Sequence, residues 1–208
     1  SYSFAYNGLG DRLLQTINGS PTNYTVDLAA GLTQVLADGT NAYLYGVARI
    51  GEEQPGGWQY HLGDALGSVR QLANSGASVS LARSYEPFGD SITSVGAGAS
   101  AFQFTGELRD STGLTYLRAR YYASPTARFI TSDTRVGDPQ APLTLNRFLY
   151  ANGNPITNID PSGRWICTLS SLIFNPDCKE WVDDALGQLE QAPVIGPNIA
   201  DFFHQRDE

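Results

Sequence analysis

The sequence predicts a mainly β protein, an antiparallel sheet of short strands followed by a short C-terminal helical extension. Three observations predict it. The chain uses 22 Gly, 11 Pro and 11 Tyr but only 16% charged residues, well under the usual quarter, and that mix favours short strands and tight turns over long helices. Strand-length aromatic and aliphatic runs are broken by Gly, Asp and Asn through residues 1–100. A similar layout also returns along the chain in units of roughly 20 residues, the mark of a repeat architecture.

Taken in order, Tyr2-Ser3-Phe4-Ala5-Tyr6 alternates in the β manner and Asn7-Gly8 supplies a hairpin turn. The layout YNGLGDRLLQTINGS from Tyr6 returns as YHLGDALGSVRQLANSGA from Tyr60. Each runs from an aromatic through a polar turn with Gly to Arg and an aliphatic residue (Arg12-Leu13, Arg70-Gln71-Leu72), then to a second turn with Gly. Gly96-Ala97-Gly98-Ala99-Ser100 reads as a loop connector, and the strand pattern resumes at Phe102. After Gly163 the character changes. Asn175-Pro176-Asp177 is a helix start, with Asn as cap, Pro at the first helical position and an acid in the first turn. Cys178, Trp181, Val182, Ala185, Leu186 and Leu189 then share one helical face, and Pro193 ends the helix before an apolar tail, PVIGPNIADFF.

Composition excludes several functions. With 208 residues the chain can bury a proper core, as one domain or a domain plus an appendage. The net charge of −8 and pI near 4.6 argue against a nucleic-acid partner. Residues 1–100 carry 4 basic and 8 acidic groups, 101–164 carry 7 and 5, and 165–208 carry 2 and 8. No apolar run is long enough for a membrane span. The chain has no Met, and Ser1 interrupts a motif, so the expectation is a piece of a larger precursor. His61 and His204 are far apart and no Cys/His cluster has ligand spacing, so neither a metal nor another cofactor is expected. Without a nucleophile elbow a Ser–His–Asp site is not expected either. Cys167 and Cys178 are a candidate disulfide, which would fit an extracellular protein. Tyr2, Tyr6, Tyr43, Tyr45, Tyr60 and the Tyr121-Tyr122 pair fit either a sugar-stacking surface or, more commonly, the packed face of a sheet.

The repeated units resemble YD repeats, the Tyr-Asp repeats of bacterial Rhs proteins, Tc-toxin C subunits and animal teneurins. In that family the core is Y-D-x-x-G-R-L. Tyr6-Asn7-Gly8-Leu9-Gly10-Asp11-Arg12-Leu13 keeps Tyr, Gly and Arg-Leu, with Asn for Asp and one inserted residue. YHLGDALGSVRQL and the Tyr85-Glu86-Pro87-Phe88-Gly89 that follows resemble the forms preceding the family's C-terminal core. Phe102 to Asp133, FQFTGELRDSTGLTYLRARYYASPTARFITSD, resembles the Rhs-associated core over its whole length, with Ala127 where Gly is usual. NRFLYANGNP from Asn146 and Asp160-Pro161-Ser162-Gly163 supply its ending. The resemblance implies three regions: 1–100 YD-repeat-like, 101–164 the Rhs-associated core, and 165–208 an acidic extension. It further implies a fragment of a shell-type β spiral, secreted or at the bacterial cell surface. The expected partners are other YD-repeat segments of the precursor or identical subunits, and a C-terminal toxin cargo.

The resemblance also implies chemistry, because Rhs and Tc-toxin C proteins cut themselves after the D-P-x-G ending as aspartyl autoproteases. Position by position, the family's arginine falls on Arg120, its catalytic aspartates on Asp133 and Asp160, and the scissile bond on Arg164–Trp165. The loop from Asp133 to Asp160 is longer than in the toxin C subunits, and Arg164 stands where an apolar residue is usual. Amide hydrolysis by carboxylates needs one as base towards water and one as acid, and a guanidinium can orient them. Each residue also has a structural reading. Asp-Pro-Ser-Gly suits a type I turn, so Asp160 is open to being a turn residue, and Arg120 to being an ion pair or a stack on Tyr121 or Tyr122. The alternative function is a non-catalytic extracellular scaffold, adhesin or self-assembling filament subunit. The 44 residues after Arg164 are few for an enzyme domain.

Overall fold

A computed structural model describes residues 1–30, 32–46 and 48–168. Among the described residues the strands are antiparallel and, within each sheet, pair with their sequence neighbours. β1 (Tyr2–Tyr6), β2 (Arg12–Ile17) and β3 (Ser20–Asn23) form a three-stranded sheet. An eight-stranded meander follows: β4 (Thr25–Asp27), β5 (Gln34–Ala37), β6 (Ala42–Tyr45), β7 (Arg49–Gln54), β8 (Gly57–Gly63), β9 (Val69–Asn74), β10 (Val79–Tyr85) and β11 (Ser91–Gly96). A four-stranded sheet contains β12 (Leu108–Arg109), β13 (Thr115–Leu117), β14 (Arg120–Ala123) and β15 (Arg128–Phe129). Last, β16 (Asn158–Ile159) pairs with β17 (Cys167–Thr168). The expected mainly β, antiparallel architecture is what the chain adopts.

One turn design explains why Gly and Asx recur between strands. The carbonyl of a first residue accepts from the amide three positions on, and the amide of that first residue donates to the carbonyl four positions on. This holds at Asn7–Asp11, Asp64–Ser68, Asn74–Ser78, Glu86–Asp90 and Asp110–Leu114. The fourth residue has positive φ, +93° at Gly10, +83° at Gly67, +87° at Gly89 and +82° at Gly113, which disfavours a Cβ and selects Gly. In three of the turns the first side chain also caps the loop: Asn7 Oδ1 accepts from the Leu9 and Asp11 amides, each at 2.9 Å, and Asp64 and Asn74 do likewise. The hairpin turn expected at Asn7-Gly8 does join β1 to β2, as a loop whose left-handed residue is Gly10. Gly96–Ser100 is a packed connector: Gly98 donates to the Ser80 carbonyl at 2.8 Å, and buried Ser100 donates to Glu52 at 3.0 Å.

The core lies in two parts. Tyr43, Val69, Leu72, Leu81, Phe102 and Leu108 cluster against the meander. Phe104, Leu117, Tyr122, Phe129, Tyr150 and Ala151 form the second cluster, where the Tyr122 and Tyr150 rings stack at 4.2 Å. Burial of these rings is the main stabilising term available to a chain of short strands. The tyrosines considered above thus divide: Tyr43 and Tyr122 are core, whereas Tyr2, Tyr6 and Tyr60 are exposed. His61 is buried with its Nε2 3.5 Å from Glu52, in keeping with a structural role.

The short C-terminal helix expected after Asn175 lies outside the described residues. So does Cys178, and with it the Cys167–Cys178 pairing; Cys167 itself is buried beside Ile159. Among the described residues no helix is long and apolar enough to cross a membrane.

Candidate functional site

β14 sets the site. Along Arg120-Tyr121-Tyr122 the first and third side chains are buried and the middle one is half-buried, as the period of a strand requires. Tyr122 enters the second core cluster, and Tyr121 turns to β1, its hydroxyl 3.0 Å from that of Tyr6. Arg120 faces the turn that follows β16. Its guanidinium lies 3.6 Å from the centroid of the Phe129 ring, so the expected stacking partner, Tyr121 or Tyr122, is replaced by Phe129 from the neighbouring strand β15.

The three residues expected to act together do meet. Arg120 Nη2 is 2.8 Å from Asp133 Oδ2 and 3.3 Å from Asp160 Oδ2, so both carboxylates share one guanidinium nitrogen. Arg120 also donates through Nη1 to the Arg147 carbonyl at 3.0 Å and through Nε to the Gly163 carbonyl. The same side chain therefore holds both acids and the backbone just before Arg164. Burial lowers its pKa, and Asp133 and Asp160 oppose that shift.

Asp160 opens the Asp160–Gly163 turn, which the Gly163 amide closes onto the Asp160 carbonyl at 3.3 Å. The turn reading of Asp160 therefore holds, and the same residue also faces Arg120. Asp160 Oδ1 accepts from the amides of Arg164 and Trp165, each at 3.0 Å. The second of these is the nitrogen of the expected scissile bond. Asp160 is only 2% exposed, and burial pushes its carboxyl up to about 6 despite the opposing Arg120 charge and the donated amides. Asp133 is less buried and is fixed differently: its amide donates to the Arg147 carbonyl at 2.8 Å, and Arg147 donates back to the Asp133 carbonyl. The two acids occupy unlike environments.

A cavity of about 310 Å³ opens here, lined by Arg120, Asp133 and Asp160 together with Val136, Leu143 and Trp165. That is room for water beside the Arg164–Trp165 bond. Arg164 is exposed and also borders the cavity, so it is not enclosed in an apolar pocket.

Four residues here were missed by sequence reasoning. Gly163 has φ +70°, and a Cβ there would lie 2.4 Å from the Leu117 carbonyl, so Gly is required by close approach. Ser162 Oγ accepts from the same two amides at 3.1 and 3.0 Å. Arg118, at the tip of the β13–β14 hairpin, donates to the Pro161 carbonyl at 2.7 Å and pairs with Glu107 at 2.7 Å. Arg135 stacks on Trp165. Ser162 and Gly163 had a local signal, the turn itself. Arg118 and Arg135 had none, since their partners are distant in sequence.

The fold matches solved structures of TcdB2–TccC3. One without the hypervariable C-terminal region aligns at a TM-score of 0.61 and 22% identity over 78% of this chain and 9% of that one. A TcdB2–TccC3–Cdc42 structure aligns at 0.59 and 20% over 88% of this chain. The fold is that of the aligned part of these structures. In sequence, the chain is 28% identical over 174 residues to the tRNA3(Ser)-specific nuclease WapA of Bacillus spizizenii, and 27% over 175 residues to the tRNA nuclease WapA of Bacillus subtilis. It is also 32% identical over 115 residues to salivary gland surface protein 1 of Aedes aegypti. No family model matches. The chain spans about 8% of the length of the WapA proteins. These similarities support the resemblance to the Rhs/YD-repeat family.

Proposed function

We propose that this chain contains the Rhs-associated core of a larger secreted or cell-surface YD-repeat protein, and that the core cuts its own Arg164–Trp165 bond. The observation that carries this reading is the 3.0 Å hydrogen bond from the Trp165 amide to Asp160 Oδ1, with Asp160 and Asp133 bracketing one Arg120 nitrogen. Asp133 takes a proton from water as the water oxygen attacks the Arg164 carbonyl carbon. Asp160, in its protonated form, which burial favours, gives its proton to the Trp165 nitrogen as the C–N bond breaks. The products are an Arg164 carboxylate and a Trp165 amine. Arg120 orients both acids and holds the Gly163 carbonyl. The released segment begins at Trp165, and a C-terminal cargo of the toxin type would be the part set free.

Intact mass spectrometry of the full chain over time tests this. A product ending at Arg164 is expected, absent in Asp133→Asn and Asp160→Asn. Because Asp160 must carry a proton and its carboxyl is pushed up to about 6, cleavage should be about tenfold slower at pH 7 than at pH 5. Cleavage that persists in Asp160→Asn, or that is flat across this range, removes Asp160 from the role.

The partner side of the proposal draws on β11. Every residue of this edge strand is exposed, including Ile92 and Val95. An open edge accepts another strand, either from a further YD-repeat segment of the same precursor or from an identical subunit. If the chain is never cut and forms large assemblies on sizing, the scaffold reading replaces the protease.

A further inference from the structure

Asp133 begins a loop that carries no strand yet is tightly organised. The Arg135 amide donates to Asp133 Oδ1 at 2.9 Å, the Asp138 amide to Thr144 Oγ1 at 2.7 Å, and Thr144 Oγ1 to the Ala141 carbonyl at 2.7 Å. Gly137 lies so close to Thr144 that a Cβ would come within 2.5 Å of its carbonyl. This loop presents the Arg135 guanidinium to the face of the Trp165 ring, 3.3 Å from its centroid. Among the described residues that guanidinium has no carboxylate partner. Trp165 is the first residue past the bond whose nitrogen Asp160 holds.

We infer that Arg135 is a positioning residue that grips the Trp165 side chain and makes an aromatic residue the preferred one after the cut. This rests on the self-cleavage reading. Two hydrogen bonds at one amide leave the chain free to swing about that point. A cation–π contact on the adjoining ring removes this freedom and keeps the nitrogen on Asp160. The Arg135 amide also caps Asp133, so one loop links the proposed base to the departing segment.

The test uses the full chain. Arg135→Ala and Trp165→Leu should each slow cleavage about tenfold. The double variant should be no slower than either alone, because the two changes remove one contact. Trp165→Phe should stay within about threefold of the parent, and Arg135→Lys should recover part of the loss. The pH midpoint should not move, since Arg135 acts on position and not on the proton. Additive losses, or an Arg135→Ala chain that cleaves at the parent rate, overturn the inference while leaving the protease reading intact.

A second measurement does not depend on cleavage. In an Asp160→Asn chain carrying Trp58→Phe and Trp181→Phe, Trp165 is the remaining indole. Arg135→Ala should raise acrylamide quenching of its fluorescence about twofold, because the ring loses the cover of the guanidinium. Unchanged quenching overturns the inference. A parent chain that never cleaves overturns the protease reading, and quenching alone then decides whether Arg135 holds the ring.

Discussion

Asp160 is the residue on which local and long-range forces converge. Its backbone closes the turn, its Oδ1 caps two amides, and its Oδ2 faces Arg120. The folded carboxyl is raised, from 3.8 to about 6. For a raised acid, the stability contribution is intact below the unfolded value and is lost as pH rises through the folded one. Asp160→Asn should therefore be more favourable at pH 8 than at pH 4 by roughly 2 kcal/mol, on top of a pH-independent cost from the lost Arg120 contact. Urea unfolding at the two pH values, in an Asp133→Asn background so that both chains stay uncut, checks this. An equal effect at both pH values would show that ionisation is not the cause. The turn chemistry of Asp160 was legible in Asp-Pro-Ser-Gly. Its burial was not, because burial depends on what packs over the turn.

At the scale of elements, the turns obey one rule with one exception, and a second Ala takes the same backbone conformation elsewhere. Ala77 occupies the position filled by Gly in the other four turns, with φ +59°. Ala127 follows a 3-10 turn with φ +56° and ψ +31°, where the family pattern has Gly. Ala77→Gly and Ala127→Gly should each stabilise the fold by about 1 kcal/mol, measured by chemical denaturation. Gly89→Ala should cost about 2–4 kcal/mol, because its Cβ would meet the Phe104 ring at 2.3 Å as well as adopt positive φ. Gly10→Ala, with no heavy atom within 4 Å of the added Cβ, should cost only the strain of positive φ, about 1–2 kcal/mol. Equal losses at Gly89 and Gly10 would contradict the packing argument. The places of these turns were legible from Gly and Asx spacing. The length of the loop at Asn7 was not legible, because Asn-Gly also suits a two-residue hairpin and only the β1–β2 register decides.

At the scale of the whole molecule, Arg12 ties the three-stranded sheet to the rest. It lies on β2, donates to Asp110 at 2.7 Å across 98 residues, and packs over the rings of Phe4, Tyr24 and Tyr116. Both charged side chains are buried, 2% and 0% exposed. Asp110→Ala would leave a buried guanidinium unpaired, at a cost of about 3–5 kcal/mol. Limited proteolysis should then cut between β3 and β4 before the four-stranded sheet. Unchanged cutting at that point would mean that the sheet is held mainly by its aromatic contacts.

Strand content, turn positions and the order of hairpins were determined by the sequence alone, because side-chain period, Gly φ preference and Asx capping act within a few residues. Tertiary structure decided what Arg120 stacks on, how deeply Asp160 is buried, and that Arg135 reaches Trp165. Arg120 meets Gly163 across 43 residues and Arg147 across 27. Such contacts depend on how separate sheets pack, and nothing in the local pattern of either partner records the other.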